Sequence, residues 1–192
     1  MKTEHVHPVF ESRFLNMMEA SFIDNAGNNK KWIFAQRPKN TNVVFVAAVV
    51  KKVPVGVKTF QALPELVVIR EYRVSVGDYI YSIPAGLVDQ GETIVEAAER
   101  ELKEETGLTI KNIISETPPL YSSPGLSDES ANLLYVEAEG DISYDKHEVT
   151  EDITVFLMNR ESVGILIKDH SLKFDAKAYM VFKQFAKYGE LV

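Results

Sequence analysis

Apolar and polar positions divide this chain into short extended runs followed by mixed strands and helices. Residues 9–23 are rich in Phe, Met and Ile in partial alternation, and residues 31–37 form a second extended run stopped by Pro38. Between them Asp24-Asn25-Ala26-Gly27-Asn28-Asn29 is a turn signal, so the pair predicts a hairpin. Residues 42–50 are almost continuously apolar, which suits a strand buried on both faces. Residues 51–64 hold Pro54, Gly56 and Pro64 and read as loops or short irregular strands. Further strands are predicted at 65–72, 79–83, 110–115, 131–138 and 153–157, and helices at 93–106, 160–168 and 175–188. In the last helix Ala178, Val181, Phe182, Phe185 and Ala186 recur at helical spacing, a stripe that faces a core. This order predicts an α+β protein with a mixed sheet flanked by helices. Residues 1–40 read as a small antiparallel sheet of their own, and residues 41–192 as the main domain.

The 192 residues are enough for one domain with a sizeable core. A composition of 45% hydrophobic and 26% charged residues is that of an ordinary globular protein. The net charge of −7 argues against nucleic acid as a partner, since phosphate-backbone binding needs a basic face. It leaves room for a small anionic substrate, because a bound dication reverses the local field. There is no cysteine, which excludes disulfides, thiolate metal sites and a cysteine nucleophile. The first ten residues carry two histidines and no apolar signal core, and the run 43–50 is far too short to span a bilayer. A soluble, cytoplasmic protein with no membrane partner is expected.

The informative segment is 86–108. Thr93 and Glu96 have capping-box spacing, and Gly107 stands where a terminal glycine ends a helix. On a wheel of about 100° per residue, Ile94, Ala98 and Leu102 form an apolar stripe. Glu96, Glu99, Arg100 and Lys103 cover the opposite side. Glu101 and Glu105, four apart, stack within or beside the apolar stripe, with Glu104 at its edge. Carboxylates placed there are partly desolvated and repel each other. A hard cation with a preference for oxygen ligands relieves that conflict, and Mg²⁺ is the usual candidate. Arg100 can reach Glu104 one turn on. The alternative is a solvated, salt-bridged helix end, which the rotation of Glu101 and Glu105 toward the apolar side disfavours.

The same residues resemble the Nudix box at every position: Gly86, Glu92, Arg100-Glu101-Leu102, Glu104-Glu105 and Gly107-Leu108. The resemblance implies the Nudix fold, a mixed β-sheet sandwiched between α-helices, and hydrolysis of a nucleoside diphosphate linked to another moiety. It implies Glu101 and Glu105 as main metal ligands, Glu104 as a ligand directly or through water, and the backbone carbonyl of Ala85 as a further ligand. It implies two or three Mg²⁺ ions, with Mn²⁺ as a substitute. Arg100 would orient the glutamates and Glu92 would brace the loop.

Flanking segments are similar to the ADP-ribose pyrophosphatase subgroup. Sixteen residues after Leu108 stands Pro124, within Ser122-Ser123-Pro124-Gly125-Leu126. The segment Arg70-Glu71-Tyr72-Arg73 resembles the subgroup's strand in which the last arginine, here Arg73, contacts substrate. Trp32, the single tryptophan, and Arg37 resemble the aromatic and arginine that hold the adenine. A core or dimer-interface anchor is an equal reading of Trp32, and a plain proline–glycine turn an alternative for Pro124. The resemblance also implies a homodimer that exchanges its N-terminal sheet. The general base is expected in the loop 144–153, with Glu151 the first choice, Glu148 the second, and His147 a surface residue. ADP-ribose is the expected substrate. The rivals are GDP-mannose, ADP-glucose, and a nucleotide-sugar sensor that binds without cutting.

Overall fold

A computed structural model describes residues 1–38, 42–51, 63–145 and 152–191. The chain opens with β1 (Lys2–Phe10), β2 (Asn16–Ile23) and β3 (Asn29–Gln36), a three-stranded antiparallel sheet in the order β1-β2-β3. The sequence reading finds the β2–β3 hairpin but not β1, and it starts the first extended run at residue 9 rather than 16. Every residue of β1 is exposed, so no alternation marks it. The hairpin turn is closed by Asp24, whose carboxylate accepts from the Asn28 amide at 2.8 Å and the Ala26 amide at 2.9 Å.

The main sheet holds β4 (Val43–Lys51), β5 (Pro64–Arg73), β6 (Asp78–Ser82), β7 (Ala85–Leu87), β8 (Thr109–Glu116), β9 (Leu120–Tyr121), β10 (Ser130–Glu139) and β11 (Ile153–Met158). Its central order is β11-β5-β4-β10-β8; β6 adds to β5, β7 to β4 and β9 to β10. The β4–β10 pair is parallel and the others are antiparallel, so the sheet is mixed, as expected. Both β7 and β9 are too short to leave a periodic signal.

Strand β4 explains why the domain has three layers. Val43, Phe45, Ala47 and Val49 face one core, with Val163 of α2 (Arg160–Leu166) and Ala178, Val181, Phe182 and Phe185 of α3 (Ala176–Tyr188). Val44, Val46, Ala48 and Val50 face the other, with Ala97, Ala98 and Leu102 of α1 (Ile94–Thr106). Two-sided burial is why β4 reads as an unbroken apolar run. Full burial of a side chain such as Phe182 contributes about 1.5–3 kcal/mol.

Along its length β4 changes partner. Near its end Val49 pairs with Leu66, and near its start Val43 pairs with Leu87. Strand β7 therefore enters the sheet directly below α1, and the box glycine Gly86 pairs with Val44.

Candidate active site on the first helix

Helix α1 begins with a complete capping box. The Glu96 amide donates to Thr93 Oγ1 at 3.2 Å, and the Thr93 amide donates to Glu96 Oε2 at 2.8 Å. It ends at Gly107, whose φ of 80° is left-handed and whose N–H donates to the Lys103 carbonyl at 3.0 Å. A Cβ at Gly107 would stand 2.5 Å from the Ser143 backbone nitrogen, so glycine is required twice over. These ends fix the rotation of the helix. Ala97, Ala98 and Leu102 are buried, and Glu105 is only 4% exposed. Its carboxylate accepts from the Ala85 amide at 3.2 Å. Glu101 is also largely covered, while Glu104 sits further out, as the wheel places them.

Arg100 departs from that wheel. Expected on the solvent side, it turns back over the loop before the helix. Its Nε and Nη2 donate to the two oxygens of Glu92, each at 2.9 Å, and Nη2 also donates to the Leu87 carbonyl at 2.8 Å. Its Nη1 reaches Glu101 Oε1 at 2.7 Å and Glu104 Oε2 at 3.3 Å. One bidentate guanidinium thus ties loop, strand end and two box glutamates together. The Arg100 hydrogen bonds and the Asp89 amide hold the Glu92 carboxyl down at about 2, and the Glu92 pair in turn raises the Arg100 pKa. At Gly86 a Cβ would lie 1.8 Å from Glu101 Oε1, so only glycine lets this carboxylate settle against β7.

The Glu105 carboxylate borders a cavity of about 150 Å³ that Glu71, Arg73, Ala85, Asp152 and Ile153 also line. Glu71 was not singled out from the sequence, although Val67 and Ile69, four and two residues earlier, share its buried face. It is 7% exposed, and its Oε1 accepts from Arg73 Nη2 at 2.7 Å. Asp152 accepts from the Tyr79 hydroxyl, and its carbonyl accepts from the Tyr72 amide at 3.2 Å. Glu151, Glu148 and His147 lie outside the described residues. A larger concavity, about 720 Å³, lies among Pro64, Arg160, Ile165 and Tyr188, with no box residue on its wall.

The remaining candidates meet at a second place. The Trp32 indole Nε1–H donates to the Gly125 carbonyl at 3.2 Å. The turn through Pro124 is closed by the Leu126 and Ser127 amides, which donate to the Ser123 carbonyl at 2.8 and 3.0 Å. The Ala35 amide donates to the Leu126 carbonyl at 2.8 Å, and Arg37 Nε is paired with the Glu129 carboxylate. Trp32, Arg37, Pro124 and Gly125 are therefore one cluster, formed by the end of β3 and the 122–129 loop. None of them lines the cavity beside Glu105.

A bound metal would meet oxygen donors only: Glu101, Glu104, Glu105 and the Ala85 backbone. That set fits a hard dication. The near-complete burial of Glu105 beside a second acidic side chain, Glu71, is charge that such an ion would offset. Among the described residues no three carboxyl or imidazole groups already converge on one point. Glu101 and Glu104 are instead held by Arg100.

Comparison with known proteins identifies the family and the fold. A NUDIX domain model matches residues 51–180. The chain is 31% identical over 160 residues to putative nudix hydrolase 2 of Caenorhabditis elegans, covering 81% of this chain and 70% of that protein. It is 28% identical over 152 residues to an ADP-ribose pyrophosphatase of Saccharomyces cerevisiae, covering 79% of this chain and 64% of the relative. The crystal structure of an ADP compounds hydrolase superposes with a TM-score of 0.70 over 97% of this chain and 94% of the other, at 21% identity, which establishes the fold. With its box complete and its fold matched, the chain belongs to the Nudix family of pyrophosphohydrolases.

Proposed function

We propose that the protein hydrolyses the pyrophosphate of a nucleoside diphosphate sugar, with ADP-ribose as substrate and AMP and ribose 5-phosphate as products. The observation that carries this reading is the cavity in which the buried Glu105 carboxylate and the Arg73 guanidinium stand on one wall system. It pairs a metal-binding oxygen with an anion-binding cation. The names of the yeast relative, an ADP-ribose pyrophosphatase, and of the superposed ADP compounds hydrolase support the substrate class.

Water attacks one phosphorus, a new P–O bond forms, and the bridging P–O bond breaks to release two monophosphates. Arg73 binds a non-bridging diphosphate oxygen, and Trp32 offers its indole face to the adenine. Arg37, by its pairing with Glu129, holds the loop of Pro124 and Gly125 against the N-terminal sheet. Glu151 takes the proton of the attacking water, and Arg100 keeps Glu101 and Glu104 oriented toward the ligand position. Two or three Mg²⁺ ions, or Mn²⁺, held by Glu101, Glu104, Glu105 and the Ala85 carbonyl would neutralise the diphosphate and make the water more acidic.

The reading includes a homodimer joined through the N-terminal sheet of residues 1–40, with residues 41–192 as the hydrolase domain. Val6, Phe10, Phe14 and Ile33 are exposed on that N-terminal unit, an apolar surface of the kind that marks interfaces. No helix of the described residues is long and apolar enough to cross a membrane. The cysteine-free sequence fits a reducing, cytoplasmic setting.

Phosphatase-coupled phosphate release from ADP-ribose, ADP-glucose and GDP-mannose tests the proposal, with Mg²⁺, with a chelator, and with Mg²⁺ restored. Mg²⁺-dependent preference for ADP-ribose is expected. Preference for another sugar would keep the chemistry and replace the substrate. Binding of all three without turnover would turn the reading into that of a sensor.

A further inference from the structure

We infer that Glu71 is a positioning residue for Arg73, aiming its guanidinium into the cavity beside Glu105. The inference rests on the proposed role of Arg73 in binding the diphosphate.

The two residues differ in how firmly the fold holds them. Glu71 lies where β5 is paired on both sides, opposite Ile80 of β6 and Ile153 of β11. Arg73 is the last residue of β5, two positions beyond that register, and among the described residues its cross-strand partner is Asp78. Strand periodicity points both side chains to the same face. The side chain of Glu71 is 9% exposed and that of Arg73 is 47% exposed, so the anchor is buried and the arginine is half-open.

Nothing on β6 competes for the guanidinium. The Asp78 carboxylate is engaged by Lys173 at 2.8 Å and by the Tyr79 amide at 2.8 Å. Of the five N–H donors of Arg73, the contact at 2.7 Å with Glu71 uses one and leaves others for phosphoryl oxygens. The cavity, at about 150 Å³, has room for a diphosphate group rather than a whole nucleotide. Glu71 thus removes rotational freedom from the cation before substrate arrives, which shows in substrate affinity.

Steady-state kinetics on ADP-ribose with Mg²⁺ test this in Glu71→Ala, Glu71→Gln, Glu71→Asp, Arg73→Ala and the Glu71→Ala/Arg73→Ala double variant, each checked for Tm. Glu71→Ala should raise KM by about tenfold with a much smaller change in kcat, a size typical of a charged hydrogen bond. Glu71→Gln, nearly isosteric, should raise KM less, and Glu71→Asp should recover part of the loss. The double variant should be no worse than Arg73→Ala alone. A raised KM in Arg73→Ala with an unchanged KM in Glu71→Ala would overturn the inference and leave the substrate role of Arg73 standing, as would effects that multiply in the double variant. An unchanged KM in Arg73→Ala would remove the substrate role itself, and the inference with it.

Discussion

Trp32 and Gly125, 93 residues apart in sequence, are joined by one hydrogen bond of 3.2 Å from the indole to a backbone carbonyl. The N-terminal sheet and the 122–129 loop are thereby a single surface. Two separate resemblances in the sequence, one at each end of this bond, converge on it. Yet 52% of Trp32 remains exposed.

Trp32→Phe keeps a flat ring and loses the bond. KM for ADP-ribose should rise about three- to tenfold with kcat little changed, the range of one ordinary hydrogen bond. Because Trp32 is the single tryptophan, ligand addition should also quench the wild-type fluorescence. No fluorescence change at saturating substrate would assign Trp32 to an interface instead.

Glu105→Gln keeps the side-chain shape and an oxygen that can accept from Ala85. Turnover should fall by about two orders of magnitude or more, while Tm stays within about 3 °C of wild type. Wild-type-like turnover would end the metal-ligand reading of Glu105.

Gly86→Ala places a methyl group where Glu101 now lies, at 1.8 Å from its Oε1. The carboxylate is the far end of a flexible side chain, so it moves and the backbone does not. We expect a folded protein with turnover reduced about 100-fold, since small misplacements at a reacting centre carry large rate losses. Normal kinetics in this variant would show that the seat of Glu101 against β7 is not needed.

Glu92→Gln tests the loop brace through pH. The Glu92 carboxyl is held at about 2 against an ordinary 4.5, chiefly by Arg100 and then by the Asp89 amide. A depressed carboxyl contributes stability that is fully present above its unfolded value and is lost as pH falls through its folded value. Glu92→Gln should therefore lower Tm at pH 7, and its deficit should shrink between about pH 4.5 and 2. A deficit independent of pH over that interval would mean that packing, not charge, is what the substitution removes.

Glu151→Gln should lower kcat about 100-fold or more with little effect on KM, as expected when a general base is removed. Glu148→Gln is the control. A larger fall in that variant would move the base to Glu148.

Much of this architecture was legible because periodicity reports burial. The two-sided strand β4, the stripe of α3 and the misplaced glutamates of α1 are all statements about which face is covered. What escaped reading lacks that signal. Strand β1 has no buried face, β7 is three residues long, and Arg100 folds back on a long side chain whose direction a wheel cannot give. Glu71 was within reach. The alternation Val67, Ile69, Glu71 puts a carboxylate on a buried face of a strand, the argument applied to α1 with a period of two.

The alternation along β4 has a consequence for how such an enzyme can change. Val44, Val46, Ala48 and Val50 support the helix that carries the glutamates, whereas Val43, Phe45, Ala47 and Val49 support the two helices behind the sheet. Neighbouring codons thus write to different properties. Drift at one parity touches stability and the seat of the chemistry together, whereas drift at the other touches stability and leaves the support of the glutamates in place.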